Sequence, residues 1–197
     1  MLEKLKLLWR HRGEVRTALG RHIALLEGDG IAGALGGLTD EEIAGLVSWL
    51  PDEGTFVEFG TLFGFTAKAV AVAKPKLKVV AVDNFSWNPF GLPPALHEAF
   101  ARRILSREIE EGRVEIVKAT SEDFRRQCET LPDAVFFDAL HQYEPVRDEI
   151  AWAKKIGVKC ICGHDYGNPR PVFGVTRAVD EAFHNGVDVC GMCWKGR

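Results

Sequence analysis

The chain has 197 residues, 46% hydrophobic and 27% charged, with a formal net charge of −3. That profile suits one globular domain whose folding buries ~70% of the surface its unfolded chain exposes. It argues against nucleic acid as the main partner; no apolar run approaches the ~18 residues of a membrane span, residues 1–12 (MLEKLKLLWRHR) do not read as a secretory signal, and five cysteines without a disulfide framework favour a reducing, cytoplasmic setting.

Residues 1–37 read as an N-terminal helical extension, and 38–197 as the body. Leu2, Leu5, Leu8 and Trp9 recur at helical spacing, as do Val15, Leu19, Ile23 and Leu26. The apolar face of the first helix predicts that it covers the mouth of a site or binds a second copy, so a homodimer is expected. GDGIAGALGG (28–37) is a glycine-rich connection with no strand before it. LTDEEIAGLVSWL (38–50) is a helix: Thr39 or Asp40 caps it, acids fill its first turn and Pro51 follows.

Strands and helices then alternate. Strands are predicted at 55–60, 77–83, 113–119, 133–139 and 157–165. Helices are predicted at 65–73, 92–110, 121–130, 145–156 (Pro145 at its first position) and 176–186. VDVCGMCW (187–194) is a last strand or a tight hairpin. Serial βα units imply an α/β fold with a parallel sheet between two helix layers. Ligands of such sheets sit outside the C-terminal strand ends. Gly60, Asp83, Ser121, Asp138, and the pair His164–Asp165 end or follow the five strands.

The first turn, VEFGTLFGFTAKAVA (57–71), has glycines four apart, so it is neither G-x-G-x-x-G nor a phosphate loop. A glycine there lets the backbone approach a ligand closely. The helix beyond offers unpaired N–H groups to an anion. Asp83 is placed to accept the hydroxyls of a ribose. The plainer reading is tight strand–helix packing with Asp83 closing a turn. Cys160, Cys162, Cys190 and Cys193 could in principle form a zinc site. Cys160 and Cys162 share one strand face, however, and read better as small core residues.

Glu58 to Thr66, E-x-G-x-x-x-G-F-T, followed by Asp83, resembles the class I S-adenosylmethionine-dependent methyltransferases. Among these it is most similar to small-molecule O-methyltransferases of the catechol and macrocin types. VEIVKATSED (114–123), DAVFFDALHQYE (133–144), and GHDYG (163–167) with GVTRAVDEAF (174–183) extend the likeness over about residues 38–194. The resemblance implies a three-layer, mostly parallel Rossmann-like methyltransferase sheet. It also implies S-adenosylmethionine as cofactor, held by Glu58, Gly60, Gly64, Thr66, Asp83, Asn84, Ser121, Glu122 and Asp138. The substrate would be a small molecule methylated at a hydroxyl oxygen. A divalent metal, Mg or Mn, would sit on Asp138, His164 and Asp165. His141 and Asp138 would be the catalytic residues, with His141 matching the position of the family's general base. One departure is plain: where many relatives read D-G-D-H, this chain reads Asp138-Ala139-Leu140-His141, one acid fewer. Read as local structure, His164 and Asp165 form a turn that closes the strand, and His141 caps the following helix. The alternative function is a non-catalytic S-adenosylmethionine- or nucleotide-binding protein. A dinucleotide enzyme is disfavoured because G-x-G-x-x-G is absent.

Overall fold

A computed structural model describes residues 37–87, 93–170, 172–184 and 186–197. The N-terminal extension, including the face carried by Leu2, Leu5, Leu8 and Trp9, lies outside the described residues. The first described helix, α1 (Asp40–Trp49), is capped by Thr39 in a reciprocal box. The Thr39 hydroxyl accepts from Glu42 N–H at 3.2 Å, and Thr39 N–H donates to Glu42 Oε2 at 2.9 Å. Asp40, Glu41 and Glu42 put negative charge at the positive end of the helix dipole.

The remaining elements follow in chain order: β1 (Glu53–Phe59), α2 (Phe65–Ala73), β2 (Lys76–Asp83), α3 (Pro94–Ile104), α4 (Ser106–Glu110), β3 (Val114–Lys118), α5 (Ser121–Gln127), β4 (Ala134–Phe137), α6 (Tyr143–Ile156), β5 (Cys160–Gly163), α7 (Val175–Ala182), β6 (Val187–Cys190) and β7 (Cys193–Gly196). The seven strands form one sheet in the order β3-β2-β1-β4-β5-β7-β6. β1 to β5 are parallel, while β7 runs antiparallel to both β5 and β6.

Both sheet faces are covered, so the central strands are apolar on both sides. Phe56, Ala81 and Phe136 pack on one face with Leu46 of α1 and Ala67 and Val70 of α2. Val57, Phe59, Val135 and Phe137 pack on the other with Val146 and Ile150 of α6 and Val175 and Val179 of α7. Among the described residues no helix is long and apolar enough to cross a membrane.

The boundaries differ from the sequence expectation at several points. The helix expected over 92–110 breaks at Leu105, whose φ of −94° and ψ of 5° leave the helical well and separate α3 from α4. α6 begins at Tyr143, which moves Pro145 to the third position. Proline is tolerated there because the N–H groups of a first turn have no intrahelical acceptor. α5 stops at Gln127 and α7 at Ala182, short of the expected ends. Gly157 caps α6 at a φ of +86°, which shortens the fifth strand to Cys160–Gly163. The C-terminal segment is the hairpin, turning at Gly191 with φ +59°.

Candidate functional site

The parallel ladder continues past the strand ends and holds the polar residues there in register. Gly60 N–H donates to the Val82 carbonyl, Asp138 N–H to Phe59, His164 N–H to Phe137 and Ala119 N–H to Asp83. Gly60, Asp83, Asp138 and His164 therefore stand along one edge of the sheet. Gly60 has a φ of +90°, and a Cβ there would collide with the Asp138 carbonyl. Only glycine lets β1 leave the sheet this close to the end of β4. Gly64 (φ +84°) caps α2 without a side-chain hydrogen bond. Thr66 is buried in the first turn of that helix.

Asp83 grips the two loops that flank it. Its Oδ2 accepts Leu62 N–H at 2.9 Å, and its Oδ1 accepts Phe85 N–H at 2.7 Å. Leu62 (φ +49°) and Phe85 (φ +56°) are two of the three described non-glycine residues with left-handed backbone. The carboxylate thus stabilises a conformation that side chains disfavour. Each oxygen retains a lone pair for a further donor. Asn84 is exposed, and its side chain closes a turn onto Ser86 N–H at 2.8 Å.

Glu58 lies between the two acidic positions and is buried. It accepts a hydrogen bond from the Thr61 hydroxyl. Burial pushes its carboxyl up to about 8 against that bond, helped by the charges of Asp138 and Asp83. At neutral pH Glu58 therefore carries its proton. Ser121 opens α5 behind the cap Thr120, whose hydroxyl accepts Asp123 N–H at 3.0 Å. Beside it stands Glu149 of α6, fully buried, with no hydrogen bond closed on either oxygen. Burial raises that carboxyl to about 7, opposed by the nearby Ser121 hydroxyl. Glu122 points outward and pairs with Arg126 at 2.6 Å.

The second cluster forms where β4 and β5 end. His141 Nδ1 lies 3.0 Å from Asp165 Oδ2. His164 Nδ1 lies 3.6 Å from Asp138 Oδ1 and 3.7 Å from Asp165 Oδ2. Its other ring nitrogen is 3.4 Å from Glu42 Oε1. The His141 ring stacks on Phe173, with centroids 4.6 Å apart. It does not cap α6, whose N-cap is Gln142. Asp165 has a φ of +63° and accepts the Asn168 amide at 2.6 Å, so the turn expected from local reading is present too.

Charge in this cluster is balanced internally. Burial raises Asp138 to about 7, against the pull of His164 and His141. Burial opposes protonation of His164, but the nearby carboxylates of Asp165, Asp138 and Glu42 prevail and raise it to about 9. His141 is raised as well: burial opposes, while the bond to Asp165 and the charges of Asp138 and Asp165 win. Asp165 is also buried, yet His141 at 3.0 Å, the nearby His164 ring and the Asn168 amide hold it well below the usual carboxylate range. Asp138, His141 and Asp165 each offer a donor atom within 4.8 Å of the others, an oxygen–nitrogen–oxygen set that fits a divalent cation. Among the described residues no cysteine group converges in this way. Cys160, Cys162 and Cys193 lie in the core.

Two contributors carried no legible sign of a site. Glu42 read only as one of the acids filling the first turn of a helix, and His97 lies in a segment without a motif. Glu42 is buried, accepts Met192 N–H at 2.8 Å and backs His164. The T-x-x-E spacing was visible; its second task was not.

No family model matches the chain, and no curated protein matches it. Solved structures do resemble it. Cofactor-bound Rv0187 from MTB is 20% identical over 83% of this chain and 84% of its own, with a TM-score of 0.60. An O-methyltransferase family protein from Burkholderia thailandensis is 16% identical over 99% of this chain and 70% of its own, with a TM-score of 0.58. A Staphylococcus aureus protein of conjectured caffeoyl-CoA O-methyltransferase identity is 12% identical over 99% of this chain and 98% of its own, with a TM-score of 0.62. These likenesses are of fold: the chain has the three-layer, Rossmann-like fold of the class I methyltransferases.

Proposed function

We propose that the chain transfers the methyl group of S-adenosylmethionine to a hydroxyl oxygen of a small molecule. The observation that carries this reading is the pairing, on one sheet edge, of the Gly60–Gly64 turn and Asp83 with the Asp138–His141–His164–Asp165 cluster, Glu58 lying between them. Asp83 would hold the ribose, the N-terminus of α2 the amino-acid end of the cofactor, and Ser121 the adenine. Thr66 and Glu122 stand in the first turns of α2 and α5, and Asn84 in the loop after β2, flanking these positions.

The reaction is an in-line displacement. An acceptor oxygen attacks the methyl carbon, the carbon–sulfur bond breaks, and the sulfonium becomes a neutral thioether. The acceptor's proton passes to a ring nitrogen, assigned here to His141. Most of the rate then comes from holding the two reactants in line. Where a divalent cation is bound, Asp138 and Asp165 would hold it with one of the two imidazoles, leaving the other to take the proton. Such an ion lowers the pKa of a coordinated hydroxyl; two carboxylates suit magnesium, and an added imidazole favours manganese. A homodimer joined through residues 1–22 completes the reading.

Titration calorimetry with S-adenosylhomocysteine tests the cofactor. Wild type should bind, and Asp83→Ala should bind roughly tenfold to a hundredfold more weakly, as expected on losing hydrogen bonds to a charged acceptor. Absence of binding by wild type, or equal binding by the variant, removes the assignment. Release of S-adenosylhomocysteine in the presence of an acceptor separates an enzyme from a protein that only binds the nucleoside. With that acceptor, His141→Ala should lower turnover ~10²–10⁴-fold at unchanged cofactor affinity. Normal turnover rules His141 out as the base, and recovery on adding Mn²⁺ marks it as a ligand. His164→Ala is read by the same two criteria.

A further inference from the structure

His97 lies in the first turns of α3, an element that supplies none of the residues assigned to the site above. It is 4% exposed, and its Nε2 is buried without a hydrogen-bond partner. Its ring packs against Phe63 with centroids 4.8 Å apart and against Phe85 with centroids 5.2 Å apart. Phe63 belongs to the glycine turn after β1, and Phe85 to the loop after β2. The imidazole therefore wedges between the two loops that Asp83 ties together through Leu62 and Phe85 N–H.

Two aromatic neighbours make a pocket that phenylalanine or leucine would fill without cost. A buried ring nitrogen with no partner is instead destabilising. Burial lowers the pKa of His97, against the Asp83 charge and a hydrogen bond with the Leu62 backbone, so the ring is neutral. A neutral imidazole has one donor and one acceptor. The Leu62 contact occupies one nitrogen, and the other lacks its donor. A hydroxyl held by Asp83 has the chemistry to supply it.

We propose that His97 is a second ribose-recognising residue, its Nε2 accepting a hydrogen bond from a hydroxyl of the nucleoside that Asp83 holds. The inference rests on the cofactor reading above. It assigns the ribose contact to a helix that carries no sequence motif. It also explains why a polar ring occupies an aromatic pocket beside the glycine turn.

The test is calorimetry with S-adenosylhomocysteine and its 2′-deoxy and 3′-deoxy ribose analogues, on wild type and His97→Phe, which fills the same space. His97→Phe should bind S-adenosylhomocysteine about threefold to tenfold more weakly. The deficit should vanish for the one analogue that lacks the contacted hydroxyl. An unchanged affinity, or an equal deficit for all three ligands, overturns the proposal in favour of a packing role. If His97→Phe gives no cooperative melt, His97→Leu is put through the same three-ligand comparison. Failure of wild type to bind S-adenosylhomocysteine sinks the cofactor reading itself, whereas normal wild-type binding with an indifferent variant sinks only the role of His97.

Discussion

Glu58 shows how a single buried carboxyl ties the site to the stability of the molecule. Its folded-state value is raised from 4.5 to about 8, first by burial. The sign follows from linkage. Below pH 4.5 folded and unfolded chains both bind the proton, and the full stability is present. Between 4.5 and about 8 the unfolded chain releases the proton while the folded one keeps it, so stability falls by at most about 1.4 kcal/mol per pH unit. Glu58→Gln keeps the acceptor for Thr61 and cannot ionise, so it should make the fall between pH 5 and 8 shallower, leaving the falls of the same sign from Asp138 and Glu149, both raised to about 7. Urea unfolding at pH 5, 6.5 and 8 measures this, and a variant that keeps the wild-type slope contradicts the assignment. His164, raised to about 9, supplies a separate loss as pH rises from its ordinary 6.5 through 9, which the variant should retain. Raising His141 also has a kinetic consequence. A base must be unprotonated, so turnover should climb with pH beyond the range of an ordinary imidazole.

At the level of elements, α1 joins helix stability to the site. The carboxylate of Glu42 serves the Thr39 N-cap, the Met192 N–H of the terminal hairpin, and His164. Thr39→Ala removes the hydroxyl that accepts Glu42 N–H and donates to Glu42 Oε2. The expected loss is about 1 kcal/mol, as for other N-cap truncations. It should appear as a lower urea midpoint at unchanged m-value, and an unchanged midpoint means the cap is redundant with the packing of Leu46. α6 relies more on burial than on capping. Its N-cap Gln142 makes no side-chain bond, while Val146, Ile150 and Ala153 are buried against the sheet.

For the whole molecule, the antiparallel hairpin completes the sheet beyond β5. Trp194 of β7 is fully buried, its indole N–H donates to the His164 carbonyl at 3.2 Å, and it lies over Gly163, where a Cβ would come within 2.6 Å of the ring. The glycine ending the fifth strand is thus the seat for this ring. Trp194→Ala leaves a cavity of indole size beside the strand that delivers His164 and Asp165. Destabilisation of about 3–5 kcal/mol is expected, read by urea unfolding. A loss under about 1 kcal/mol contradicts a central packing role for the ring.

The residue pattern alone carried the order of the strands and helices, a cap at Thr39 or Asp40, and the polar residues at the strand ends. Those signals are local: apolar period, turn residues, and a run such as CICG followed by His164 and Asp165. The glycine turn and Asp83 were legible because their spacing spans one βα unit. Tertiary structure decided what converges on them. Glu42 and His164 are 122 positions apart and meet because α1 packs across the sheet onto the β5–β7 edge. His97 reaches the glycine turn only after the chain crosses from β2 into α3. The seating of the last strand beside β5 was likewise invisible locally, because pairing is set by which strand edge remains open once the parallel units have formed. The break at Leu105 and the early start of α6 fell outside local rules for the same reason: packing against the sheet, more than intrinsic propensity, sets where these helices begin and end.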